Sequence, residues 1–177
     1  MIVEYVRTMS IKLHPDIASV RLTADDISSR VAQLAQQLSR DYAGKDVVLI
    51  GVLTGSAIFI ADLVRAMSIP VSFDFLAVGS YGPDAKISGV VKILKDLDSP
   101  VESRHVVLVE DVLNPEMARR DEFLSEVMRD RLVESVLICT LLDKPDARAK
   151  AGVTVTPDYC GFTLDEAYVD DGPGRSR

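Results

Sequence analysis

The sequence predicts an α/β domain built on a central, mainly parallel sheet flanked by helices. Two observations predict the sheet. Runs such as Val47-Val48-Leu49-Ile50-Gly51-Val52-Leu53 and Val106-Val107-Leu108-Val109 are apolar without alternation, as strands buried on both faces are. These runs alternate with segments of helical periodicity, the order that gives parallel strands joined by helices. A third observation locates the working edge. The run at 106–109 ends in two adjacent acids, Glu110 and Asp111, and a helix-start signal follows at Asn114-Pro115-Glu116. That delivers carboxylates to the carboxyl edge of the sheet, where α/β proteins bind ligands.

Taken in order, Thr23 and Asp26 have the spacing of a capping box, and Ile27, Val31, Leu34 and Leu38 then share one helical face. Tyr42 to Asp46 reads as a turn into the strand at 47–53. Thr54-Gly55-Ser56 turns the chain into a helix that ends near Met67, ahead of Pro70. Val71 to Val78 is a strand, Gly79-Ser80-Tyr81-Gly82-Pro83 opens a long polar loop, and Ser88 to Lys95 is a second, more exposed strand. The strand over 106–111 leads to a helix over about 115–131, a strand over 135–142, a short Lys144-Pro145-Asp146 segment and a last strand near 159–163. The 71–95 stretch is a hairpin-like excursion from the parallel sheet.

The chain has 177 residues, enough for one domain with a substantial core, here expected over 10–169. Residues 1–9 are expected to be an extension, and the Asp/Gly/Pro-rich 170–177 a flexible tail. No apolar run approaches the roughly 20 residues of a membrane span, and Met1 to Ser10 lacks a basic start followed by an apolar stretch. A net charge of −7 argues against nonspecific partners such as nucleic acid or an anionic membrane. Cys139 and Cys160 lie in apolar strand-like runs and read as buried free thiols of a cytoplasmic protein.

Several stretches in order resemble the hypoxanthine/guanine phosphoribosyltransferases, which are type I phosphoribosyltransferases. They are 49–53, Ala61-Asp62-Leu63, 71–75, Ser80-Tyr81-Gly82, 88–98, Val109-Glu110-Asp111 and Ile138-Cys139-Thr140-Leu141-Leu142-Asp143-Lys144-Pro145. The resemblance covers about Leu13 to Val169. It implies the type I fold with a hood and a flexible lid loop. It also implies transfer of ribose 5-phosphate from Mg-bound phosphoribosyl pyrophosphate (PRPP) to a 6-oxopurine, with release of pyrophosphate.

On that resemblance Glu110 and Asp111 face the ribose hydroxyls and the magnesium, the latter through water. Carboxylates suit both tasks, as acceptors for vicinal hydroxyls and as hard oxygen ligands. Lys144 donates to the purine O6, Tyr168 stacks on the base, and the Val169 backbone meets its edge. Ser80 and Tyr81 belong to the lid that excludes water. Leu53, Thr54 and Gly55 form the pyrophosphate loop. Plainer readings exist for each: a surface lysine, a strand-edge tyrosine packed on the core, an ordinary polar turn.

The resemblance breaks after Leu113. The family has an Asp that serves as general base for the purine N7, then small residues, a glycine and a hydroxyl that cradle the 5-phosphate at a helix N-terminus. Here these positions hold Asn114, Pro115, Glu116, Met117 and Ala118. Pro115 lacks an N–H, Ala118 lacks a hydroxyl, and Asn114 cannot act as a base. Asn at the N-cap, Pro at N1 and an acid at N2 instead predict a helix that caps itself. Glu116 is expected, buried, near the place the phosphate would fill. The pyrophosphate loop also lacks the family's usual lysine, and Arg175 stands where the family has a metal-binding aspartate. Arg119 and Arg120 are candidate replacement cations, although helical arginines are more often solvated.

These features lead to the expectation of a divergent homologue that keeps a purine-like or nucleotide ligand site with weak or absent PRPP-dependent transfer. Such a protein would bind a ligand or be recruited to other chemistry. The alternative is an active purine-salvage enzyme making IMP or GMP, with Mg as cofactor. The family implies a homodimer or homotetramer, and a regulatory homologue could pair with an active paralogue.

Overall fold

The structure, a computed structural model, describes residues 20–80 and 91–164. Tyr81, Tyr168 and Val169 lie outside the described residues, as do the expected extension, most of the lid and the tail; of Ser80 only the backbone is described.

Helix α1 (Ala24–Asp41) starts as its sequence directs. The Thr23 hydroxyl accepts from the Asp26 N–H at 3.1 Å, and the Thr23 N–H donates back to the Asp26 carboxylate at 2.9 Å. Strand β1 (Val47–Val52) is buried along its whole length, as its unbroken apolar run predicts. Helix α2 (Ala57–Ala66) follows, then β2 (Ser72–Ser80), β3 (Val91–Lys95), β4 (His105–Leu113), α3 (Pro115–Asp130), β5 (Ser135–Asp143), α4 (Pro145–Lys150) and β6 (Tyr159–Thr163).

The six strands form one sheet in the order β3-β2-β1-β4-β5-β6. All pairings are parallel except β2 with β3, so the hairpin-like excursion is observed and the rest is the expected parallel sheet. Strand alternation splits the core. Val47 and Leu49 of β1, Val107 and Val109 of β4, and Cys139 of β5 pack with α1 and α2 on one face. Val48, Ile50, Val106, Leu108 and Ile138 pack with Leu124 and Met128 of α3 on the other. Each Leu- or Ile-sized side chain buried this way contributes roughly 1.5–3 kcal/mol.

Two details differ from the sequence reading. Strand β4 runs past the acids to Leu113, because Val112 and Leu113 still pair with Leu142 and Asp143 of β5. Cys160 is half-buried rather than buried, since it lies on edge strand β6; Cys139 is fully buried, and both are free thiols. No helix among the described residues is long and apolar enough to cross a membrane.

Candidate functional site

A cavity of about 340 Å³ opens at the carboxyl edge of the sheet, between the ends of β1 and β4 and the start of α3. Its lining brings together Leu53, Thr54 and Gly55, then Glu110, Asp111 and Asn114, and finally Lys144. Residues far apart in sequence meet here because parallel strands β1, β4 and β5 end side by side.

Asp111 sits half-buried against the loop after β1. A Cβ built on Gly55 would lie 2.6 Å from both Asp111 Cγ and Oδ1, so only glycine lets this loop approach the carboxylate so closely. Lys144 reaches the cavity from the end of β5. Its N–H donates to the Leu113 carbonyl at 3.1 Å, which fixes the β5–α4 turn against the end of β4. Among the described residues neither the Asp111 carboxylate nor the Lys144 ammonium has a hydrogen-bonding partner, and both residues line the cavity.

The start of α3 caps itself, as expected. Asn114 Oδ1 accepts from the N–H groups of both Glu116 and Met117, each at 2.9 Å, and Pro115 occupies the first turn. Donors that could cradle an anion are therefore already engaged. The expectation for Glu116 needs correction. It is exposed and does not line the cavity, because its helical position turns it to solvent. Its repulsion of an anion is accordingly screened. Ala118 is fully buried and closes the first helical turn by donating to the Asn114 carbonyl at 2.9 Å.

Glu110 lines the floor of the cavity but is fully buried, in a setting the sequence did not anticipate. Arg120 Nη2 donates to Glu110 Oε1 at 2.5 Å, and the buried Asp121 lies beside the same carboxyl. Burial first, and then the neighbouring Asp121 charge, push Glu110 up to about 10 despite the arginine. Burial also raises Asp121, to about 6. Without a proton Glu110 Oε2 and both Asp121 oxygens have no hydrogen-bonding partner; a proton shared between the two acids pairs one oxygen of Glu110 with one of Asp121. Glu110 thus meets Arg120 at the cavity floor, while Asp111 presents its carboxylate at the cavity wall.

Arg120 also departs from the solvated reading, with its side chain 17% exposed. Arg119 is the exposed one and donates to the Ala151 carbonyl at 3.2 Å. The signal for Arg120 was present in the sequence: Asn114, Met117 and Arg120 recur every three residues and so share the cavity face of α3. No cluster of three or more His, Cys, Asp or Glu that could hold a metal occurs among the described residues.

The phosphoribosyl transferase domain profile matches residues 22–165. The chain is similar to the hypoxanthine-guanine phosphoribosyltransferase of Mycobacterium tuberculosis, 42% identical over 165 residues, covering 89% of this chain and 79% of that protein. It resembles the crystal structure of a hypoxanthine phosphoribosyltransferase from Staphylococcus aureus with TM-score 0.80 and 35% identity, covering 89% of this chain and 83% of the other. A Trypanosoma cruzi hypoxanthine phosphoribosyltransferase variant complexed with the product IMP matches with TM-score 0.77 and 30% identity, over 88% and 81% of the two chains. Sheet order, the acidic strand end and these likenesses agree: the chain belongs to the hypoxanthine/guanine phosphoribosyltransferase family of type I phosphoribosyltransferases.

Proposed function

We propose that the protein is a purine-salvage phosphoribosyltransferase that makes IMP or GMP from hypoxanthine or guanine and PRPP. The observation that carries this reading is the Asp111 carboxylate set against the Gly55 loop, with Lys144 lining the same cavity. The similarity to hypoxanthine-guanine phosphoribosyltransferases over most of the chain favours this active reading over the divergent homologue expected from the sequence.

In this reading Asp111 accepts from the ribose hydroxyls, and the loop of Leu53, Thr54 and Gly55 meets the pyrophosphate. Lys144 donates to O6, which favours an oxo over an amino purine. Tyr168 stacks on the base, Val169 meets its edge, and Ser80 and Tyr81 cover the reacting carbon. Magnesium suits the Asp111 carboxylate and, when bound, neutralises charge on the leaving pyrophosphate. Asn114 cannot accept the N7 proton, because its carboxamide oxygen is a weak base already bonded to two N–H groups. That proton passes to solvent, and the step is slow. Homo-oligomerisation belongs to the same proposal.

A second reading, ligand binding without turnover, is favoured by the engaged donors at the start of α3. Following IMP formation from hypoxanthine and Mg–PRPP separates the two. Slow, PRPP-dependent production of IMP supports the transferase. Hypoxanthine or IMP binding with no product would overturn it in favour of the second reading.

A further inference from the structure

We propose that Arg120 is the phosphate-binding cation of this cavity, taking over on α3 the contact that the self-capped helix start no longer offers. The inference rests on the phosphoribosyltransferase reading, and it follows from three observations.

The first is position. Arg120 lines the cavity on the same face of α3 as Asn114 and Met117, two turns at most from the helix start. The second is donor count. A guanidinium carries five N–H donors in a fixed fork, and among the described residues only Nη2 meets an acceptor, Glu110 Oε1. Its Nε is buried and without a partner, so the group is under-satisfied as it stands. Phosphate oxygens match the fork and convert idle donors into charge-assisted bonds. The third is rigidity. The contact to the fully buried Glu110 fixes the guanidinium from beneath, whereas Arg119 lies exposed at the surface. A cation already ordered loses little side-chain freedom when it captures an anion.

Competing donors near the site are few. Pro115 has no N–H, and the N–H groups of Glu116 and Met117 are bonded to Asn114. Lys144 follows the end of β5 and, in the proposed function, is taken up by the purine.

The test compares Arg120→Gln and Arg120→Lys with the unchanged protein, measuring PRPP binding by calorimetry with Mg and, separately, the KM for each substrate. Glutamine keeps a donor for Glu110 and removes the charge. The expected result is a PRPP affinity weakened about tenfold or more in the glutamine variant, an intermediate value in the lysine variant, and a purine KM within about twofold of the original. A merely structural role would move both substrates together. If Arg120→Gln does not fold, the Arg120→Gln, Glu110→Gln pair removes the buried acid together with the cation and gives the same readout. Unchanged PRPP binding in the glutamine variant overturns the inference. PRPP binding that depends on Arg120 without IMP formation supports it while overturning the transferase. Failure of the unchanged protein to bind PRPP overturns both.

Discussion

Arg148 donates to the main-chain carbonyl of Leu113 at 3.1 Å, so helix α4 is bonded directly to the last residue of β4. The same nitrogen is bonded to the Asp143 carboxylate, and both side chains are buried. Leu113 precedes Asn114, and Asp143 precedes Lys144. One guanidinium therefore ties together the two turns that carry the cavity's polar residues.

Removing one member of that pair strands the other charge in the interior. Arg148→Met is expected to destabilise the fold by about 3–5 kcal/mol, while Arg148→Met with Asp143→Leu recovers most of the loss. Urea denaturation checks this; a single variant costing under about 1 kcal/mol would show that the pair is not a structural tie.

Gly55→Ala places a methyl group against the Asp111 carboxylate. The carboxylate can swing away, so the fold is expected to hold while kcat/KM for PRPP falls by about tenfold or more through misplacement. Steady-state kinetics beside a thermal melt separate the two effects. Unchanged kinetics would remove Asp111 from the ribose contact.

Stability should fall as pH rises because of the buried acids. Glu110 and Asp121 hold their proton more tightly folded than unfolded, so between pH 4 and the folded values of about 6 and about 10 the native state binds the more protons. Unfolding free energy then decreases with pH, by at most about 1.4 kcal/mol per unit for each proton held. Arg120 is the charged partner that moderates the effect. Asp121→Asn is expected to flatten the slope measured by urea denaturation at pH 5 and pH 8. An equal slope in the variant would deny the shared proton.

At the helix start, Asn114→Ala removes an acceptor of two N–H groups and should cost about 1 kcal/mol. Asn114→Asp keeps the cap and places a charge favourable to the helix dipole, for a gain of about 0.3–1 kcal/mol. It also supplies a proton acceptor near the purine, so IMP formation should rise. Melts and initial rates of the two variants check both statements.

These contrasts show which features the sequence carries locally. The α1 capping box, the buried β1 run and the Asn114-Pro115-Glu116 helix start are decided by neighbours within a few residues, and all three appear in the fold. The placement of Asp111 and Lys144 in one cavity follows from β4 and β5 lying side by side, an order the apolar runs alone do not specify. What stayed hidden depends on pairing across the fold. Arg120 and Asp121 look like ordinary helix surface until α3 is laid on β4, where they meet Glu110. Arg148 and Asp143 become buried only once α4 folds back on the strand ends. Glu116 was misplaced for the opposite reason: its charge suggested the anion site, while its helical angle points it to water.

Whether the strand-borne site supports phosphoribosyl transfer is tested by comparing initial rates of IMP formation from hypoxanthine and Mg–PRPP for the unchanged protein and for Asn114→Asp, Pro115→Ser, Glu116→Gly, which leaves the buried Ala118 in place. Slow turnover is expected of the unchanged protein, with a rise of about tenfold or more in kcat/KM for PRPP in the variant and the purine KM little changed. No product from either protein would contradict the claim that the remaining strand-borne site supports phosphoribosyl transfer.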